Sequence, residues 1–393
     1  MKRFAIYGII LGCAATSAYA ADFETVVNTI VSNNAALAAQ RESYKAQGLT
    51  LRADNTLSDP EIGFEHQWGP AEVGNKWNIS VSQSFDWPGV YAKRSAANRE
   101  AINAFEFLYL ADEADLRLKA WQTLCDYVDA VSRHRLLTEV AANLDTLYRR
   151  QSFAYDHGEL TILDMKKLRL ERASLQVRLA TAETSTDRLR HDLIALNGGK
   201  TLDLGGLTDY EQTPLLPEEE YLAAFYDSDP AVAARQGLAR SAQLNAQAAS
   251  RARMPGFSVG YIHNVEGGAH FNGFSVGVSL PVYSSSKRRA AALAESLSLE
   301  QSNADYLLAT HSAIVSDYSA ARSLGERLKV YDDFFVSDSG DNYLTLLGKS
   351  FDGEQINMIT YLLELNYYLE ARIDYQTALH DYQLLLARLS RYK

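Results

Sequence analysis

Cysteine is scarce in this 393-residue sequence, which contains only Cys13 and Cys125. Residues 1–20 combine a basic start, a short apolar run and a small-residue ending at Ala20, a pattern typical of a secretory signal peptide. We predict cleavage after Ala20, which removes Cys13 and excludes an internal disulfide. Lipid attachment at Cys13 is the alternative interpretation of this segment.

Long apolar runs are also missing. Beyond residue 20, no stretch reaches the roughly 18 continuous apolar residues of a membrane-spanning helix, so any membrane crossing must use strands. Prolines are absent between Pro88 and Pro214 and again after Pro281. Because proline interrupts helices, both regions can form uninterrupted helices, and about 67 helical residues span about 100 Å.

The sequence lacks the patterns of an enzyme. Its eight histidines are scattered, and it has no Ser/His/Asp set or glycine-rich phosphate loop. His263, Glu266 and His270 could bind a metal at a strand turn, but their spacing is poor and favours a solvated loop. The net charge of −11 argues against nucleic-acid binding. We therefore expect no catalysis, no cofactor and no metal site.

The sequence repeats itself after about half its length. The segment 75–101 (NKWNISVSQSFDWPGVYAKRSAANREA) matches 272–296 (NGFSVGVSLPVYSSSKRRAAALAES) as a strand, a proline, a basic cluster and a helix start. Gly158 and Gly353 lie in two further matching segments, 195 residues apart. Two similar halves are therefore predicted, each with a helix, two strands and a long helical hairpin.

The predicted layout follows from this repeat. After the signal peptide come a first repeat (21–199), a linker or equatorial segment (200–217) and a second repeat (218–393). The first repeat is predicted to contain a helix at 22–56, strands at 61–68 and 77–86, and a hairpin at 90–197. The second is predicted to contain a helix at 218–252, strands at 256–264 and 271–280, and a hairpin at 286–391 with arms at 286–336 and 356–391.

The strand ahead of Pro281 alternates between two kinds of residue. The apolar ones are Phe274, Val276, Val278 and Leu280, and those between them are Ser275, Gly277 and Ser279. A two-residue period predicts a strand with one apolar face. We predict that the apolar set faces lipid and the other set a water-filled lumen. A small soluble sheet that covers a core is the alternative.

The number of predicted strands bears on assembly. Strands of eight to ten residues can cross a bilayer when tilted, but a spanning sheet must close, because an open edge in lipid leaves backbone groups unpaired. Four strands cannot close a barrel, since the smallest membrane barrels have about eight. The chain is therefore predicted to pool strands with copies of itself, and three copies would supply twelve.

A resemblance to a known family rests on four segments. They are NNAALAAQR (33–41), DPEIGF (59–64), VSQSFDWPGVYAKR (81–94) and HGELTILDMKKL (157–168), the last echoed by DGEQINMITYLLEL (352–365). Together they resemble the TolC-type outer membrane factors, the exit ducts of tripartite efflux pumps and type I secretion systems. The resemblance covers essentially the whole chain after residue 20.

The resemblance implies a mainly helical fold with a small β part, in which each half supplies two transmembrane strands and a long helical hairpin. It implies a homotrimer with a shared twelve-stranded barrel in the outer membrane of a Gram-negative bacterium, contacting lipid, and an α-helical barrel in the periplasm. The implied partners are a periplasmic membrane-fusion adaptor and an inner-membrane pump, with the resistance-nodulation-division type favoured.

The resemblance also implies which residues form the periplasmic tip and gate. The hairpin turns near Gly158 and Gly353 would close the duct, and carboxylates just after the second hairpin turn narrow the entrance in the family. Asp164 keeps that position in the first half. Thr360 takes it in the second half after a one-residue slip, with Glu364 four residues on, which puts an acidic ring in doubt. Asp164 also suits the first turn of a helix without any gating role.

These expectations combine into one function. The chain is predicted to be a passive exit duct for small molecules or metal ions, driven by a partner pump. A periplasmic coiled-coil scaffold, whose short strands only cap a helical bundle, is the alternative. An exported hydrolase ranks last, because no catalytic set is assembled in the sequence.

Overall fold

The computed structural model describes residues 22–210, 213–281, 284–338 and 343–392. The predicted signal peptide, with Cys13, lies outside the described residues. Contacts divide the chain into two compact units. The first contains the segment up to Asn33, Thr123–Gln212 and Ile356–Gln376, and the second contains Asn34–Gln122, Thr213–Gln355 and the segment from Thr377 onward.

The chain is mainly helical, with one small group of strands. In chain order its elements are α1 Phe23–Asn33, α2 Ala35–Ala53, β1 Glu61–Gln67, β2 Lys76–Phe85, α3 Pro88–Asp156, α4 Ile162–Leu196, α5 Glu218–Ser228, α6 Pro230–Arg251, β3 Gly256–Glu266, β4 Ala269–Ser279, α7 Ser284–Asp332, a π-helical segment Asp333–Asp338, α8 Tyr343–Asp352 and α9 Met358–Ser390. None of the helices in the described ranges is both long enough and apolar enough to cross a membrane.

The two short helical regions are each broken, where the sequence predicted single helices at 22–56 and 218–252. Asn34 ends α1 and caps α2, because its side chain accepts a hydrogen bond from the Leu37 amide. Asp229 caps α6 in the same way, and Pro230 follows as the first helical residue. A capping side chain, with or without a following proline, starts a new helix, so both positions are helix boundaries.

The longest helix, α3, contains 69 residues, about 100 Å at 1.5 Å per residue. Its apolar residues recur every three or four positions and form a buried stripe. Leu124, Val128, Val140 and Leu144 are fully buried or nearly so. This spacing is that of helices packed side by side in coiled-coil fashion.

The second hairpin differs from the predicted arms at 286–336 and 356–391. Helix α7 ends at Asp332, a π-helical segment follows, and α8 occupies 343–352, where no element was predicted. The sequence at 337–342 consists of Ser, Asp, Gly and Asn residues. Residues 339–342 lie outside the described residues.

The four strands form one antiparallel sheet in the order β1-β2-β3-β4. Strands β1 and β2 form one hairpin, and β3 and β4 form another. Pairing of β2 with β3 joins the two hairpins. Both hairpin turns therefore lie at one end of the sheet, and all connections to helices lie at the other. We call these the hairpin end and the helix end.

The second unit has a core where α5, α6, α7 and the end of α9 meet. Its buried members are Tyr221, Phe225, Val232, Ile314, Ala321, Leu385 and Leu389. Phe225 is completely buried and contacts the rings of Tyr306 and Tyr392. These aromatic rings pack α5 against α7 and the end of the chain.

Candidate functional site

The register of the sheet sorts its residues into two faces. Phe274 pairs with Tyr261, Val276 with Val259, and Val278 with Phe257. The same face continues across the other two strands, since Tyr261 pairs with Val81 and Val81 with Ile62. We call this the apolar face. Its apolar members are Ile62, Phe64, Trp77, Ile79, Val81, Phe85, Phe257, Val259, Tyr261, Val265, Phe274, Val276 and Val278.

The apolar face is exposed in the single chain. Phe274 is 86% exposed, Val276 is 76% exposed and Ile62 is 77% exposed. Val278 and Leu280 are also exposed, Leu280 lying just after the end of β4. A monomeric soluble protein rarely exposes a continuous apolar surface of this kind, so lipid or another protein must cover it. The sequence-based prediction assigned faces to β4 alone, although the alternation in the other strands identifies the same face.

The opposite face carries small and polar residues. Ser275, Gly277 and Ser279 lie on it, each paired with Gly260, Ser258 or Gly256 of β3. A Cβ at Gly260 would lie 2.6 Å from Ser275 Oγ and 2.9 Å from the Val81 carbonyl oxygen. Larger side chains do not fit there. This face therefore carries short side chains and is mostly polar, which suits a surface beside water.

The sheet has two open edges. Within the described residues, β1 and β4 each have one strand neighbour only. Their outer edges present backbone N–H and C=O groups without a strand partner from this chain. In an apolar surrounding such groups are costly, so these edges predict pairing with strands from another molecule.

The hairpin end carries the histidines noted in the sequence. His270 Nδ1 lies 3.4 Å from His263 Nε2, and His263 Nδ1 lies 2.6 Å from Asn272 Oδ1. Glu266 forms an ion pair with Lys76 at 3.1 Å instead of joining the histidines. In the ranges that the structure covers, no group of three or more His, Cys, Asp or Glu residues is placed to hold a metal ion.

The turn between α3 and α4 has a well-defined geometry. Gly158 adopts a left-handed conformation with φ +79°, and the Glu159 amide donates to the Ala154 carbonyl across it at 2.9 Å. Thr161 then caps α4, accepting a hydrogen bond from the Asp164 amide at 3.2 Å and donating to Asp164 Oδ2 at 2.6 Å. Asp164 is half-buried at the start of α4 and is held by the cap.

The turn between α8 and α9 repeats this geometry with different residues. Its left-handed residue is Glu354, with φ 57°, and not Gly353. The Gln355 amide donates to the Ser350 carbonyl at 2.9 Å, as Glu159 does to Ala154 in the first turn. Asn357 then caps α9 by accepting from the Thr360 amide at 2.9 Å.

The two turns therefore align Gly158 with Glu354 and Asp164 with Thr360. The left-handed residue precedes the cap by three positions in both turns, and the cap precedes Asp164 or Thr360 by three. This explains the one-residue slip in the sequence alignment, which matched Gly158 with Gly353. The second turn presents a hydroxyl where the first presents a carboxylate, and Glu364 lies about one helical turn further along α9.

The segment after α4 packs within the first unit. Leu204 and Leu207 are buried, and the Tyr210 hydroxyl donates to the Cys125 carbonyl oxygen at 3.4 Å. Burial raises the pKa of the Cys125 thiol and of the Tyr210 hydroxyl. Both groups therefore stay neutral in the folded protein, and Cys125 is a packing residue with little thiolate character.

The second unit contains an ion cluster that no sequence pattern predicted. Arg391, near the end of the chain, places Nη1 2.7 Å from Asp229 Oδ2 and Nε 2.8 Å from Asp115 Oδ1. The side chains of Arg391 and Asp229 are only 8% and 2% exposed. Asp229 also caps α6, so Arg391 links the α5–α6 break to α3 through these two carboxylates. The three residues are far apart in sequence, which left no local signal.

Several solved structures are similar to this chain over nearly its whole length. A membrane protein from Pseudomonas aeruginosa is 16% identical, with a TM-score of 0.76 over 94% of this chain and 92% of that chain. The outer-membrane channel OprN is 14% identical, with a TM-score of 0.77 over 94% and 89%. The CmeC outer membrane channel of Campylobacter jejuni is 13% identical, with a TM-score of 0.72 over 94% and 85%.

No protein-family model matches the sequence. No curated protein matches it either. TM-scores of 0.72–0.77 establish the fold, whereas identities of 13–16% leave the function to be argued from the residues. The predicted fold class, mainly helical with a small antiparallel sheet of the outer membrane efflux type, is confirmed at this level. This chain therefore has the fold of the outer membrane channel proteins.

Proposed function

We propose that this chain is an outer membrane channel, the exit duct of a tripartite efflux or type I secretion system in a Gram-negative bacterium. Small molecules or metal ions pass through it unchanged, driven by a partner pump. Solved structures with the same fold include OprN and CmeC, both described as outer membrane channels. The shared fold supports the proposal by analogy, and the surface of the sheet provides the main evidence for it.

The exposed apolar face of the sheet is the central observation. It runs across all four strands, and small and polar residues occupy the other face. A sheet in this arrangement suits a wall with lipid on one side and water on the other. Phe274, Val276, Val278 and Leu280 then face lipid, and Ser275, Gly277 and Ser279 face the lumen.

The open edges support a homotrimer. In lipid, the unpaired edge groups of β1 and β4 need strand partners, and closure is the only arrangement without a free edge. Four strands per chain are too few to close, and three chains supply a twelve-stranded barrel, within the range of known membrane barrels.

A stripe on α4 supports the same assembly independently. Leu163, Leu170 and Val177 are separated by seven residues each and are all exposed, Leu170 by 72%. Apolar residues at a seven-residue spacing form the contact seam of a helix packed on another helix. Within the described residues no helix of the chain covers this row, which supports packing of the row on a second copy.

The helix turns near Gly158 and Glu354 support a docking and gating role. Each turn is a short cap-stabilised reversal between two helices, with half-buried polar residues such as Asp164 and Thr360. We place the contact with a periplasmic membrane-fusion adaptor and the narrow entrance of the duct at these turns. The adaptor connects the duct to an inner-membrane pump, for which the resistance-nodulation-division type is favoured. The duct itself requires no catalytic residue or cofactor.

A periplasmic scaffold is the second candidate and is disfavoured. A scaffold would turn the apolar face of the sheet onto its own helices to keep it from water. The exposure of Ile62, Phe274 and Val276 shows that the chain does not do so.

Purification and reconstitution test the proposal. We expect the protein to fractionate with outer-membrane vesicles, to purify in detergent as a heat-labile trimer, and to conduct ions when inserted into a planar lipid bilayer. Release by osmotic shock as a stable detergent-free monomer would refute the proposal and support the scaffold.

A further inference from the structure

A pocket lies at the helix end of the sheet, beside the apolar face. Its volume is about 410 Å³, and it is lined chiefly by Leu57, Phe85, Trp87, Pro88 and Phe257. The rings of Trp87 and Phe257 lie 5.9 Å apart and form one wall. Both side chains are more than one-third exposed, so the pocket opens to the outside of the chain.

The pocket continues the apolar face without interruption. Phe85 and Phe257 are paired across β2 and β3, and Phe257 pairs with Val278 of β4. All three side chains belong to the apolar face. An acyl chain that lies along this face in the bilayer can therefore enter the pocket at the helix end without crossing a polar surface.

A guanidinium group lies near Trp87, which forms part of the pocket wall. Arg251 Nη1 donates to the Gly89 carbonyl at 3.4 Å. A Cβ at Gly89 would lie 3.2 Å from Arg251 Nη1 and 3.3 Å from Trp87 Cδ1, so the guanidinium and the indole both border Gly89. Arg251 is exposed, and in the part of the chain that the structure describes no carboxylate forms a salt bridge with it.

Further basic residues cluster at the same end of the sheet. Arg94 stands near the other side of the pocket, 3.3 Å from Asp86. Seven basic residues lie at the helix ends next to the sheet or just outside them, which are Lys93 and Arg94 early in α3, Arg251 at the end of α6, Arg253 just after it, and Lys287, Arg288 and Arg289 early in α7. Asp54, Asp59, Glu61 and Asp86 oppose them, and Asp86 also lines the pocket. Seven basic residues thus outnumber four acidic ones at this end of the sheet, although the whole chain carries −11.

From this pocket and this charge we infer a binding site for an anionic phospholipid of the periplasmic leaflet. The acyl chain occupies the pocket against Trp87 and Phe257, and the phosphate pairs with Arg251 next to Trp87. The inference rests on the proposed function, since it needs the apolar face to lie in a membrane. The inferred site selects an anionic lipid at one position. An apolar face without nearby charges would instead bind all lipids equally.

Quenching of Trp87 fluorescence by brominated phospholipids tests the site. The trimer is reconstituted into phosphatidylcholine vesicles with a small, equal fraction of brominated phosphatidylglycerol or brominated phosphatidylcholine. Trp68, Trp77 and Trp121 are replaced by Phe, so that only Trp87 reports. Should that variant not assemble, the difference between the wild type and Trp87→Phe gives the same signal. We expect about fivefold stronger quenching by the anionic lipid, the ratio that one basic residue near a membrane surface supplies.

Arg251→Gln should remove most of this preference. Arg322→Gln, which changes an exposed arginine of α7 paired with Glu326, is the matched control and should keep it. Equal quenching by both brominated lipids, or a preference that survives Arg251→Gln, would overturn the lipid site and leave the channel proposal intact. Absence of quenching by either lipid would overturn the membrane location of the sheet, and the site with it.

Discussion

Val276 and Ser275 are neighbours in β4, yet their side chains lie on opposite faces of the sheet. Val276→Arg places a charge on the apolar face and should cost about 2–4 kcal/mol per chain at mid-bilayer. Ser275→Arg places the same charge on the polar face and should be tolerated better. The measurement is the amount of heat-labile trimer recovered from outer-membrane vesicles for each variant. Equal recovery of the two would reverse the assignment of the faces.

Arg391 stabilises the second unit through a buried charge pair. Arg391→Ala leaves the carboxylate of Asp229, only 2% exposed, without its cation. Removal of one partner of a buried pair typically costs about 3–5 kcal/mol. We expect a loss of that order in the free energy of unfolding, measured by denaturant titration in detergent.

Two further variants separate this effect from a general surface effect. Arg322→Ala breaks an exposed pair with Glu326 and should change stability by less than about 1 kcal/mol. Asp229→Asn in the Arg391→Ala background removes the unpaired charge but keeps a capping side chain for α6, so it should recover part of the loss. No recovery would show that Arg391 acts through packing alone.

At the scale of the element, the two helix turns share a backbone conformation and differ in residue. Gly158 suits its left-handed conformation, whereas Glu354 adopts one that disfavours a side chain. We expect Glu354→Gly to stabilise the protein by about 1 kcal/mol and Gly158→Ala to destabilise it by about 1–2 kcal/mol. Thermal unfolding of the purified protein measures both. Gly353→Ala is the control and should have a smaller effect, because Gly353 is not left-handed.

The start of α4 lets the structural role of Asp164 be separated from a gating role. Asp164→Asn keeps a side-chain oxygen for the hydrogen bond from Thr161 and removes the charge. If Asp164 lies at the entrance, cation selectivity in planar bilayers should fall, as expected for a channel lined by carboxylates. Thr161→Ala removes the cap and keeps the charge of Asp164. It should cost about 1 kcal/mol of stability and leave the cation selectivity unchanged. Unchanged selectivity in Asp164→Asn would leave Asp164 only as the hydrogen-bond partner of the Thr161 cap.

At the scale of the whole molecule, the seam on α4 predicts how copies associate. Leu170→Glu puts a charge in the middle of the row formed with Leu163 and Val177 and should shift the protein from trimer towards monomer at a fixed concentration. Light scattering of the detergent-solubilised protein gives the mass. Gln176→Glu adds the same charge to an exposed position of α4 outside the row and should leave the trimer intact. Trimers of equal stability in both variants would remove the seam from the interface.

The sequence anticipated the features that depend on local pattern. Two-residue alternation identified the apolar residues of β4, and the distribution of prolines identified α3 as an uninterrupted helix. Patterns of this kind do not locate a helix break that depends on one capping side chain, so the breaks at Asn34 and Asp229 were missed. The alignment of the two turns was off by one residue, because glycine in the sequence does not show which residue adopts the left-handed conformation.

The sequence by itself determined the mainly helical class, the small two-faced sheet and the resemblance to outer membrane factors, because periodicity and proline placement act over short distances. Only the tertiary structure showed that the apolar residues of all four strands share one uncovered face, since that depends on strand register. It also brought together Arg391, Asp229 and Asp115, and placed Arg251 beside Trp87. Contacts between residues hundreds of positions apart arise from packing, which no local pattern records.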